Sequence, residues 1–171
     1  MRIIKNRIRK GVVTKSIDMG FLANAEIETM GVELKKIIHE RFSRSFHIRE
    51  VDTGSCGACE SEIIATTNPI YDIQRFGINF VASPRHADCL LVTGPVSKNM
   101  AVALKKTYEA MPEPKFVITL GNCAYDGGIF KDAYYTESGV ASILPVTFHI
   151  PGCPPKPIDI IKAILTFLKK G

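Results

Sequence analysis

Short apolar strand-like segments alternate with helical stretches along most of this chain, and three of those segments end in glycine-bearing turns that carry cysteine. Ile48–Val51, Ile78–Val81, Cys89–Thr93, Phe116–Leu120 and Val146–Ile150 read as strands. Glu60–Thr67, Lys98–Met111 and Ile158–Leu168 read as helices. Alternation of this kind predicts an α/β fold, an open parallel sheet with helices on both faces. In a parallel sheet every carboxyl end points the same way. The loops carrying Cys56 and Cys59, Cys123, and Cys153 are therefore expected at one edge, where open α/β sheets place their ligands. Length does not oppose this: 171 residues suffice for one domain with a real core.

The cysteines point to soft-metal chemistry. Cys56 and Cys59 stand in Gly-Ser-Cys-Gly-Ala-Cys, Cys123 follows Leu-Gly-Asn, and Cys153 stands in Pro-Gly-Cys-Pro-Pro. Thiolates from loops distant in sequence suit an iron–sulfur cluster. Gly57, Gly121 and Gly152 let backbone N–H groups approach the sulfurs and offset cluster charge. Pro151, Pro154, Pro155 and Pro157 stiffen the last loop. Two other readings stay open at this point. Structural zinc usually draws on two close cysteine pairs, whereas here there is one pair and two singletons. A redox dithiol accounts for Cys56 and Cys59 but leaves Cys123 and Cys153 unexplained. Cys89, inside an apolar strand, reads as core.

Charge and patterning narrow the class further. The net charge of +5 is concentrated before residue 16, where Arg2, Lys5, Arg7, Arg9, Lys10 and Lys15 meet no acidic residue. Such an end suits an anionic surface, an acidic partner or solvent. The diffuse remainder gives no reason to expect nucleic acid. No apolar run reaches the roughly 18 residues of a membrane span, and no secretory leader is read, so a cytoplasmic or peripheral membrane-docked protein is expected. No Gly-Lys-Ser/Thr phosphate loop and no G-x-G-x-x-G fingerprint occurs, so neither nucleotide nor flavin is expected. Residues 1–45 are read as an arm followed by an amphipathic helix bearing Leu34, Ile37, Ile38 and Phe42, with partner docking as the expected role. Residues 46–171 are read as the cluster-binding domain.

Several segments together resemble one family: Gly54–Ile63, Tyr71–Gly77, Ser83–Asp88, Val92–Val96, Pro112–Lys115 and Pro151–Pro155. The chain is similar to the electron-transfer small subunit of energy-converting, membrane-bound nickel–iron hydrogenases of the formate hydrogenlyase type. That subunit is shared with the cluster-bearing subunit of respiratory complex I. The complex I form has adjacent cysteines where this chain has Cys56-Gly57-Ala58-Cys59, which is the hydrogenase type. The resemblance implies a flavodoxin-like fold and a 4Fe–4S cluster held by Cys56, Cys59, Cys123 and Cys153, proximal to a nickel–iron centre. It implies three kinds of partner: the nickel–iron large subunit, a ferredoxin-like iron–sulfur subunit and membrane-arm subunits. The nickel site belongs to the large subunit, because this chain lacks the second C-x-x-C pair. The subunit is expected to be inactive alone and peripheral on the cytoplasmic side of the membrane. A complex I-like quinone- or sulfur-reducing relative is the alternative.

Four further residues carry expectations. Glu62 has two readings, a role near the cluster in coupling proton and electron transfer, which the resemblance implies, and a helix-start carboxylate favoured by the dipole; Glu60 is read as the latter. Arg85 is assigned to cluster-edge or subunit-interface electrostatics, with pairing to Asp88 as the plainer reading. His149 reads as structural, since four cysteines leave no vacancy for a fifth ligand.

Overall fold

The computed structural model describes residues 25–170. The basic segment before residue 16 lies outside them. The elements in chain order are α1 (Ala25–Phe42), β1 (Phe46–Asp52), α2 (Ala58–Thr66), β2 (Ile78–Phe80), β3 (Cys89–Thr93), α3 (Lys98–Glu109), β4 (Phe116–Leu120), α4 (Asn122–Asp126), β5 (Phe148–Ile150) and α5 (Pro157–Lys170). All strand pairings are parallel, and the sheet order is β2-β1-β3-β4-β5. This is the flavodoxin-like doubly wound order, whose direction of winding reverses at β1 and β3.

Period-two alternation divides the apolar side chains between the two faces of the sheet. Ile48, Leu91, Ile118 and Ile150 join one core with α1 and α5, whereas Val51, Leu90, Val92 and Val117 join a second with Leu104 of α3. Cys89 is completely buried in the first core, between Ile48 of β1 and Phe116 of β4. Sheet strands covered on both faces explain the near-continuous apolar runs.

The first helix begins earlier than its sequence pattern suggests. Gly11–Gly31 has little periodicity, yet α1 starts at Ala25 and buries Ile27, Gly31, Leu34 and Ile38. Its apolar face lies in the same core as α5, and Lys162–Glu26 (2.6 Å) and Lys169–Glu33 (2.8 Å) ion pairs cross between the two helices. The face that suggested partner docking is thus covered by this chain's own C-terminal helix.

At the amino edge, Asp88 accepts both guanidinium nitrogens of Arg44 (2.6 and 3.0 Å) and the His47 backbone N–H (2.9 Å). Asp88 is buried, so the bidentate geometry and the extra N–H offset the cost of removing the carboxylate from water. The partner of Asp88 is therefore Arg44 rather than Arg85.

Candidate functional site

At the opposite, carboxyl edge, the turns after β1, β3, β4 and β5 converge. Cys56, Cys59, Cys123 and Cys153 line a single pocket with Ser55, Pro95 and Asn122 between them. Each turn is held by its own polar bonds. After β1, Asp52 Oδ1 accepts from the N–H groups of Gly54 (2.8 Å) and Ser55 (2.7 Å). This Asx-type arrangement orders the segment that presents Cys56. Cys59 then sits in the first turn of α2 and packs on the first core.

The Cys123 and Cys153 turns are stapled to each other. The Asn122 N–H donates to the Gly152 carbonyl (2.9 Å), and the Gly152 N–H donates to Asn122 Oδ1 (3.0 Å). One asparagine thereby satisfies both loops and sets the spacing of their thiols. Gly121 makes the approach possible, with φ 82° and a position at which a Cβ would stand 2.8 Å from the Cys59 sulfur. A side chain there is excluded both by backbone conformation and by the thiol it would strike.

The thiols oppose one another electrostatically. Burial raises the Cys59 pKa to about 12, with further contributions from Glu60, Cys56, Cys123 and Cys153. Burial likewise raises Cys123, followed by Cys153 and Cys56. Cys59 and Cys123, both hindered in ionising, gain their thiolate forms most readily when a cationic centre sits beside them, with release of protons. Among the described residues no group of three or more His, Cys, Asp or Glu side chains is arranged to hold a metal ion. The observation in favour of a cluster is the donor set itself, four soft sulfurs around one pocket with glycine opening the approach between two of them.

Of the other residues singled out in the sequence, neither Glu62 nor Arg85 lines the cysteine pocket. Glu62 is half-buried one turn beyond Cys59 on α2. Arg85 is exposed in the short turn that precedes β3, and so lies at the amino edge, a full strand length from the thiols. Its placement follows from topology: in a parallel sheet a loop before a strand and a loop after it occupy opposite edges.

Glu60, read from the sequence as a helix-start carboxylate, belongs to a carboxylate cluster with Glu50 and Asp52. Both oxygens of Glu60, and Nε of Arg49, are buried without a hydrogen-bond partner among the described residues. Burial, then the charges of Glu60 and Asp52, raise the Glu50 carboxyl above its usual range, weakly opposed by the Thr93 hydroxyl at 3.4 Å. A carboxyl raised on folding stabilises the fold below its unfolded pKa, near 4.3, and loses that contribution as pH rises through the folded value. Ionised Glu50 is therefore unfavourable at neutral pH. Glu50→Gln is expected to raise the thermal midpoint at pH 7, with the advantage disappearing near pH 4. Melting curves at both values check this, and a lower midpoint for the variant at pH 7 contradicts it.

Comparison with known proteins shows the family. Residues 56–167 match the family described as NADH ubiquinone oxidoreductase, 20 Kd subunit. The "Probable membrane-bound hydrogenase subunit mbhJ" of Pyrococcus furiosus is 44% identical over 74% of this chain and 76% of that protein. Formate hydrogenlyase subunit 7 of Escherichia coli is 44% identical over 72% of this chain, which spans 49% of that longer protein. An NADH-quinone oxidoreductase subunit of Citrifermentans bemidjiense is 44% identical over 69% of each chain. Among solved structures, a chain of the membrane-bound sulfane sulfur reductase, an archaeal respiratory membrane complex, superposes with a TM-score of 0.63. That chain is 33% identical, with 75% of this chain and 72% of that one covered. The chain belongs to the 20 Kd subunit family of NADH ubiquinone oxidoreductase and is a component of the oxidoreductase complexes that family builds.

Proposed function

We propose that Cys56, Cys59, Cys123 and Cys153 hold one 4Fe–4S cluster, and that the chain is the electron-transfer subunit of a membrane-bound nickel–iron hydrogenase. The observation that carries the reading is the convergence of four thiols from three separate turns on one pocket at the carboxyl edge of the sheet. The chemistry such a group supplies is reversible one-electron transfer, here between a ferredoxin-like iron–sulfur subunit and a nickel–iron large subunit. The chain's own residues hold the ligands still. Asp52 fixes the first turn, Asn122 locks the other two together, and Gly121 admits the Cys59 sulfur. Cys56 and Cys153 are exposed, so the outer side of the site needs cover from a neighbouring subunit. The large subunit is the natural cover, since electron transfer to its metal centre favours close approach. No helix among the described residues is long and apolar enough to cross a membrane. Attachment to membrane-arm subunits on the cytoplasmic side is part of the same reading.

The likeness to the sulfane sulfur reductase supports a second reading, an equivalent subunit in a complex I-like sulfur- or quinone-reducing assembly. The co-purifying large subunit separates the two, because a nickel–iron centre needs paired C-x-x-C motifs there. Anaerobic purification of the complex with iron and sulfide analysis tests the cluster itself. About four iron and four sulfide per copy of this chain, beyond those of the partner subunits, are expected, with a paramagnetic signal on reduction. Stoichiometric zinc and no such signal sinks the proposal.

A further inference from the structure

We propose that His149 links proton binding to the redox state of the centre held by Cys123 and Cys153. The inference rests on the cluster assignment above. His149 lies on β5, whose chain continues through Pro151 and Gly152 to Cys153. The neighbouring Ile150 is buried in the core shared with α5, so alternation sends the imidazole to the other face of the sheet. There its Nδ1 stands 2.9 Å from the Thr119 hydroxyl of β4. Its ring stacks on Tyr125 with centroids 4.4 Å apart and planes 24° from parallel.

Both contacts lead to the cluster site. Tyr125 belongs to α4, the five-residue helix that carries Cys123. Thr119 precedes Leu120 and Gly121, the glycine that packs against the Cys59 sulfur. The imidazole thus sits on one ligand-bearing segment and touches the segment that bears another.

Its surroundings favour a response at that position. Among the described residues Asp126 of α4 is the charged group that acts on the ring, and Tyr125 is a second titratable neighbour. The loop on the remaining side, including Leu144, Pro145, Val146 and Thr147, brings no ionisable side chain to the cavity beside the ring. Burial lowers the proton affinity of His149, with the Thr119 backbone and Asp126 opposing, so the ring is neutral near pH 7. In the neutral form Nδ1 can accept from Thr119. On protonation Nδ1 becomes a donor, and the hydroxyl of Thr119, a fully buried residue, must direct its proton elsewhere. An electron added to a nearby centre favours the imidazolium. By reciprocity the imidazolium favours the reduced centre.

The test is a redox titration of the intact complex, following the paramagnetic signal of this cluster from about pH 5 to pH 8, for wild type and His149→Gln. Glutamine can keep the Thr119 hydrogen bond but cannot gain charge. The wild-type midpoint is expected to rise as pH falls, by about 59 mV for a tenfold coupling in a one-electron couple. The variant is expected to stay near the wild-type high-pH value throughout. Equal pH profiles for the two proteins, or a flat wild-type profile, overturn the linkage. No cluster signal in either protein overturns the functional reading instead. If the variant alone loses the cluster, nuclear magnetic resonance titration of His149 in the oxidised and reduced wild-type complex decides. An approximately tenfold rise in proton affinity on reduction supports the linkage, and equal affinities overturn it.

Discussion

Serine at position 123 is expected to remove most of the paramagnetic signal and of the iron attributable to this chain, while serine at position 89 leaves both intact per folded molecule. The two substitutions are chemically identical and differ only in location. Cys123 faces the shared pocket from the first turn of α4, and its loop is bonded to the Cys153 loop through Asn122. Loss of its sulfur leaves three thiolates around a centre that needs four. Even outer partners of metal ligands cost about 10–100-fold in affinity when mutated, so a ligand itself should cost at least as much. Cys89 instead lies on β3 with its side chain in the core. A hydroxyl there is buried among apolar side chains with only the Ile118 backbone beside it to bond, and costs about 0.5–2 kcal/mol of stability. The pair of variants therefore gives opposite signatures: one loses the cluster with little change in folding, and the other loses stability with the cluster retained. Iron analysis and denaturant melts on both proteins check this. Equal loss of iron in the two would show that the cysteines act through folding alone.

The features legible in the sequence are those that depend on period and on chain direction. Apolar runs of strand length alternating with helices imply a parallel sheet, and a parallel sheet places Cys56, Cys59, Cys123 and Cys153 at one edge without any knowledge of contacts. The same rule, applied to Arg85, would have placed it at the far edge, because its turn enters β3 rather than leaving it. Other features depend on which side chains meet across the fold. The exchange between Asn122 and Gly152 joins residues thirty apart, and Asn122 on its own reads only as a turn residue. Glu60 carries no mark in the sequence of the burial that leaves both oxygens without partners among the described residues, and Glu50 owes its raised pKa to burial and to that neighbour. Gly31 closes the weakly periodic stretch that reads as an arm, yet α1 begins at Ala25 and runs through it.

That glycine carries the second large effect. Gly31→Ala is expected to destabilise the protein, although alanine in a helix interior normally gains about 0.5–1 kcal/mol over glycine. A methyl carbon built on Gly31 falls within the van der Waals envelope of the Phe76 ring, against three of its carbons. The ring has little room to retreat. Phe76 is 4% exposed, the Arg75 guanidinium lies 4.4 Å from its centroid, and Arg75 is itself held by Glu28 of α1 and by Asp72. Overpacking of this kind costs about 1–3 kcal/mol, which exceeds the propensity gain and reverses the sign. Trimming the obstacle should restore the ordinary behaviour. In a Phe76→Leu background, itself destabilised by the cavity it leaves, Gly31→Ala is expected to be neutral or stabilising, and the double-mutant cycle should show favourable coupling. The consequence reaches the site through packing, because α1 lies on α5 and α5 also packs on α2, the helix that begins beside Cys59. Denaturant unfolding of the four proteins in the cycle measures the effect. Stabilisation by Gly31→Ala in the wild-type background would show that α1 stands farther from Phe76 than the structure places it.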